Sequence, residues 1–119
     1  MTVTGIDHVQ VAAPAGCEAE ARAFYGELLG LEELPKPEPL AAHGGCWFRA
    51  GAQELHVGVE EPFTSARKAH PGLVVADLDA LAARLSAAGL DTPYDESIPG
   101  TKRFYAADPF GNRLEFREA

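Results

Sequence analysis

Asp108-Pro109-Phe110-Gly111-Asn112-Arg113-Leu114-Glu115-Phe116 joins a turn to a strand, and its reading decides the fold. Asp, Pro, Gly and Asn in the first half carry turn chemistry. In the second half Leu114 and Phe116 point one way and Glu115 the other, as alternate strand residues do. The same apolar–polar–apolar triplet stands upstream at Leu55-His56-Val57. Further outward, His8 opens an alternating stretch with Val9, Gln10 and Val11, and His70 opens another that runs to Ala76. A helical pattern follows each. The first starts near Glu18, with Ala21, Phe24, Tyr25, Leu28 and Leu29 on one face and Gly30 at its C-terminal cap. The second starts at an Asp77 cap, carries Leu78, Leu81, Leu85 and Ala88 as its stripe, and ends at Gly89. Cys46 to Arg49 and Gln53 to Val59 read as the later strands of the first half, and Lys102 to Ala106 and Arg113 to Arg117 as those of the second. Leu34 to Gly45 and Asp91 to Gly100 show no period and read as irregular. Strand, helix and further strands therefore occur twice.

Composition narrows the function classes. Hydrophobic residues make up 46% of the 119, enough to offset chain entropy and exclude disorder as the main state. Eighteen Asp and Glu against ten Lys and Arg give a net charge of -8, which argues against nucleic-acid binding. No apolar run reaches the roughly 20 residues that span a bilayer, so a soluble, cytoplasmic protein without membrane association is expected. Cys17 and Cys46 lack the spacing of a metal or redox motif and read as reduced thiols. No glycine-rich phosphate loop or nucleophile elbow is present.

The repeat also places chemistry. Leu55, Val57, Leu114 and Phe116 can face the helices, leaving His56 and Glu115 on the opposite face with His8 and His70. Two curved sheets related by a pseudo-twofold would bring all four together. Imidazole nitrogens with a carboxylate suit Zn²⁺, Ni²⁺, Fe²⁺ or Mn²⁺ and do not choose among them. Glu54 shares a side with His56 and reads either as its orienting group or as a surface carboxylate. Arg103 and Tyr105 share one face of their strand, where they would hold an anionic or hydroxylated substrate, or serve as a surface Arg and a packed Tyr. Trp47 and Phe48 point to opposite faces, one to the core and one to the cavity.

The sequence resembles the vicinal oxygen chelate superfamily of glyoxalase I, extradiol dioxygenases, fosfomycin-resistance thiol transferases and bleomycin-resistance proteins. Its carriers are Asp7-His8-Val9, Ala23-Phe24-Tyr25 with Leu29-Gly30-Leu31, Leu55-His56-Val57, Val75-Ala76-Asp77-Leu78-Asp79, and Arg103-Phe104-Tyr105 leading to the 108–115 stretch. The resemblance implies an α+β fold of two βαβββ modules, about 4–60 and 67–119, in one domain over 1–119. It implies His8, His70 and Glu115 as ligands of one divalent metal per site. The fourth position is commonly Glu in glyoxalase I and is His56 here, as a ligand, as an imidazole behind the ligands or as one that contacts substrate. Pro71 beside His70 is a second departure. The expected function is a metal-dependent, glyoxalase-like lyase or isomerase that acts on a small oxygenated substrate through a metal-stabilised enediolate, with Glu115 as ligand and base. Two alternatives stand beside it: an Fe(II) extradiol-type dioxygenase using His8, His70 and Glu115, and a drug-binding protein of the bleomycin-resistance type without chemistry. A homodimer is expected, with His8 and His56 from one protomer meeting His70 and Glu115 from the other; pairing of the two modules within one chain is the alternative.

Overall fold

The computed structural model describes residues 2–119, and the chain divides into two units, Met1–Thr64 and Ser65–Ala119. It is a mixed α+β protein built on two sheets. In the first unit β1 (His8–Ala13) leads to α1 (Glu18–Ala21), a wider π-helical segment (Arg22–Leu28), β2 (Glu32–Leu34), a 3₁₀ turn (Leu40–His43), β3 (Cys46–Ala50) and β4 (Gln53–Val59). The sheet order is β1-β4-β3-β2, with β1 parallel to β4 and the other pairs antiparallel. Alternation along the strands sends Val11, Ala13, Phe48, Leu55 and Val57 into a core shared with Ala21, Phe24 and Tyr25. Tyr25 meets Phe24 edge-on at 4.9 Å and Phe48 at 5.8 Å. The predicted helix is therefore present, but its second half widens: the Leu29 amide donates to the Phe24 carbonyl at 2.9 Å, five residues back. Its face is narrower than expected, since Leu28 and Leu29 are only half-buried. The expected irregular stretch from Leu34 to Gly45 holds the end of β2 and the 3₁₀ turn. It returns to β3 through Gly45, at φ 86°, where an added Cβ would clash with the Val57 carbonyl oxygen.

The second unit runs β5 (Gly72–Val75), α2 (Leu78–Ala87), β6 (Arg103–Ala107) and β7 (Arg113–Glu118), with sheet order β5-β7-β6. Asp77 caps α2 as its composition predicts, accepting from the Ala80 amide at 3.0 Å. The Leu78 amide donates to the Glu118 carboxylate at 3.1 Å, which ties the helix start to the end of β7. The buried face of α2 is Leu78, Ala82 and Leu85. Leu81 is half-buried and Ala88 exposed, which corrects the stripe read from spacing. Phe104, Ala106, Leu114 and Phe116 supply the sheet side of this core. Two strand expectations are also corrected. The second strand of the module, which follows the helix, shrinks to a single bridge, Tyr94 to Phe104. The first strand begins at Gly72 rather than His70, because Pro71 has no amide to donate; its carbonyl accepts from the Glu115 amide at 3.1 Å.

The turn at 108–112 is held by a buried carboxylate. Asp108 accepts from the Phe110 and Asn112 amides, both at 2.9 Å, and from the Asn112 side chain at 3.0 Å. Asn112 in turn accepts from the Ala66 amide at 2.9 Å. Among the described residues no helix is long and apolar enough to cross a membrane.

Candidate functional site

In the first unit, β-sheet register builds a stack of three rings. Trp47 of β3 stands directly across from His56 of β4, and their rings stack at 3.9 Å and 5°. On the other side of His56 lies the His8 ring, at 4.2 Å and 16°. This sandwich buries His56 to 4% exposure although it points away from the core. Phe48 takes the core side and Trp47 the open side. Glu54, two residues from His56 on the same strand face, hydrogen-bonds to His56 Nε2 at 2.9 Å. His56 thus donates through Nε2, and in the neutral ring its lone pair lies on Nδ1. His8 is arranged the other way round. Its Nδ1 meets the Asp7 carboxylate at 3.0 Å, which leaves Nε2 as the open nitrogen.

In the second unit the site is made of charges. His70 donates through Nδ1 to the Lys68 carbonyl at 3.0 Å, so a neutral ring carries its lone pair on Nε2. That nitrogen lies 3.0 Å from Glu115 Oε1. A lone pair and a carboxylate oxygen at this distance need positive charge between them: a proton on Nε2, or a cation held by both. The spacing also suits a cation, since two donors each about 2.1 Å from a metal and at right angles span about 3.0 Å. Imidazole nitrogen and carboxylate oxygen are donor types that a divalent metal takes, and this pair supplies two of the three or more it needs. Burial acts to raise the Glu115 pKa. The hydrogen bonds and positive charge of His70 and Arg103 outweigh it and hold the carboxyl below its ordinary value. Arg103 Nη1 is 3.4 Å from the same Oε1, while Oε2 has only Arg117, at 4.0 Å.

Arg103 and Tyr105 are brought together as their strand spacing predicts. Arg103 Nη1 donates to the Tyr105 hydroxyl at 2.9 Å. Nη2 donates to Ser97 Oγ at 3.0 Å and pairs with Asp95 at 3.4 Å, which ties the 91–100 segment to the sheet. Arg113 was not legible as a site residue, yet its guanidinium lies 4.0 Å from the Tyr105 ring centre. Its place on the same strand face as Glu115, two residues on, was the available signal. The two units thus present His8 with His56, and His70 with Glu115. Among the described residues no three His, Cys, Asp or Glu side chains within either unit are grouped to hold a metal. Cys17 and Cys46 are buried free thiols, and burial together with the neighbouring Glu18 pushes Cys17 up to about 11.

A fold of paired strand–helix–strand units with imidazole and carboxylate on the open sheet faces defines a class, and the family model agrees. Residues 5–116 match the glyoxalase/bleomycin resistance protein/dioxygenase superfamily, to which the chain belongs. A glyoxalase family protein from Bacillus anthracis is 54% identical, with a TM-score of 0.96 over 99% of this chain and 97% of that one. The lactoylglutathione lyase of Agrobacterium tumefaciens shares the fold at 22% identity and a TM-score of 0.76, covering 100% and 96% of the two chains. The fosfomycin resistance protein FosX of Listeria monocytogenes shares it at 14% and 0.78, covering 99% and 95%. None of the curated proteins is matched by the sequence. The superfamily includes enzymes, and its members typically use divalent metals, bind small molecules and commonly form dimers.

Proposed function

We propose that the protein is a metal-dependent, glyoxalase-like lyase or isomerase for a small oxygenated substrate. The observation that carries this reading is the facing of His70 Nε2 and Glu115 Oε1 at 3.0 Å, a pair that a divalent cation would join in place of the proton between them. His8, whose Nε2 is left open by Asp7, is the further ligand. His56 has its Nε2 engaged by Glu54, and its stacking on His8 holds that ring in place. When bound, the metal would act as a Lewis acid on a substrate oxygen. The chain's own residues do the rest. Glu115 Oε2, the less engaged oxygen of an ionised carboxylate, accepts the proton from carbon beside the substrate carbonyl. Trp47 offers aromatic surface on the open face of the first sheet, against which a small substrate can be oriented.

Each unit carries only part of the ligand set, so one unit of each kind is needed for a site. In this reading the protein is a homodimer and the two units come from different chains. Mixing a His8→Ala/His56→Ala chain with a His70→Ala/Glu115→Gln chain tests it. A shared site regains metal in the mixed dimer; a site within one chain regains none. Activity is tested by screening small 2-oxo and hydroxy compounds with the metal-loaded protein. Metal bound without turnover of any of them, but with tight retention of one, would favour a binding protein instead.

A further inference from the structure

Four groups carry charge on the open face of the second sheet, and all but one of them are already spent. Arg103 is committed through both terminal nitrogens to Tyr105, Ser97, Asp95 and Glu115. Its Nε is buried, and the contacts of its terminal nitrogens hold the side chain in place. Arg117 leans on Glu115 at 4.0 Å, and Glu115 itself is taken by His70 and Arg103. Arg113 differs. Among the described residues it has no carboxylate within ion-pair distance, and its charge reaches Asp95 only as the last of the contributions that lower that group's pKa. Its guanidinium sits over a ring instead, 4.0 Å from the centre of Tyr105.

That contact orients it. A guanidinium on an aromatic face keeps its N–H donors in the plane, where they form a fork that matches two oxygens of a carboxylate or phosphoryl group. Tyr105 is itself fixed by the Arg103 hydrogen bond, so the platform is rigid. Ala107, a small residue, stands directly across from Arg113 in the β6–β7 register. A chain of net charge -8 thus concentrates arginines on one sheet face, next to the carboxylate proposed as base. Resting on that proposed function, we infer that the substrate carries an oxyanion group, and that Arg113 is the specificity-determining residue that receives it.

The test uses acetate and inorganic phosphate as probes, titrated into the protein at constant ionic strength while the Arg113 side-chain and Tyr105 ring resonances are followed by NMR. Saturable binding is expected for at least one probe, and which of the two binds tighter separates a carboxylate from a phosphoryl substrate. Arg113→Gln should weaken it by about tenfold or more, the loss of one charge-assisted fork. Arg113→Lys should fall between, because the charge remains and the planar fork does not. Arg84→Gln, on the exposed side of α2, should leave it unchanged. His70→Ala should retain anion binding while losing metal, which distinguishes failure of this inference from failure of the metal reading. No saturable binding in the parent, or equal binding in Arg113→Gln with its fold verified by the same spectra, would overturn the inference.

Discussion

His8 and His70 stand at corresponding places in the two units, but their surroundings differ. His8 leans on His56, which leans on Trp47, with ring separations of 4.2 and 3.9 Å. His70 sits among Glu115, Arg103 and the Lys68 carbonyl. The cores are alike, each an apolar sheet face covered by a helix. The divergence is confined to the outward-facing alternate residues, where a substitution leaves the core untouched. Repetition therefore preserved the frame that aims the side chains and left the chemistry free to specialise: one face holds a ring by stacking, the other by charge. If this is right, core damage should hurt both units alike, while damage to the open faces should affect them differently.

The largest expected effects test the likeness. Phe48 and Phe104 are both fully buried, one in each core. Phe48→Ala and Phe104→Ala should each cost about 3–5 kcal/mol in urea unfolding. A loss below about 1 kcal/mol for either would break the parallel between the cores. Backbone effects come next. Gly45→Ala combines a left-handed φ of 86° with a clash against the Val57 carbonyl, and should cost about 2–5 kcal/mol. Gly30, at φ 77°, has open space around it, so Gly30→Ala should cost only the conformational part, about 1–2 kcal/mol. Equal losses would mean that the approach of Gly45 to β4 is not tight.

A smaller effect separates the ways each unit holds a carboxylate. The Glu18 pKa is lowered first by its hydrogen bond from the Gly45 amide, at 2.6 Å, and only lastly by the charge of Arg22. The folded pKa lies below the unfolded one, so this contribution is complete above the ordinary value near 4.5 and is lost as pH falls through the folded value. Glu18→Gln should cost no more than about 1 kcal/mol at pH 7, given the solvent near the group. The difference from the parent should vanish on acidification. A gap that persists well below pH 4 would show that the Glu18 charge is not what stabilises the turn.

Much of this was legible in the sequence, and the residues say why. The repeat, β4 and the 108–112 turn follow from local patterns: alternation at Leu55-His56-Val57, and Asp, Gly and Asn whose turn roles are short-range. His8, His70 and Glu115 could be singled out because a repeat puts equivalent positions side by side. Burial of His56 could not, because it depends on Trp47 and His8 arriving from two other strands in register. The widened helix turn after Ala21 has no signature in the local spacing, which reads as an ordinary helix through Leu29. Leu81 was read into the α2 stripe and Ala82 left out because spacing alone does not fix which side of an apolar arc meets the sheet. Arg113 carries no local mark of a site residue: whether an arginine is paired is settled only by its distance from every carboxylate around it.

Metal content measured on purified protein, after removal of adventitious ions and reloading, reaches the central claim most directly. The account predicts that the parent binds a divalent metal stoichiometrically, that His70→Ala and His8→Ala bind it much more weakly, and that Glu115→Gln, which loses the anionic ligand, does so as well. Metal bound by all three variants as tightly as by the parent, with their folds intact, would contradict it.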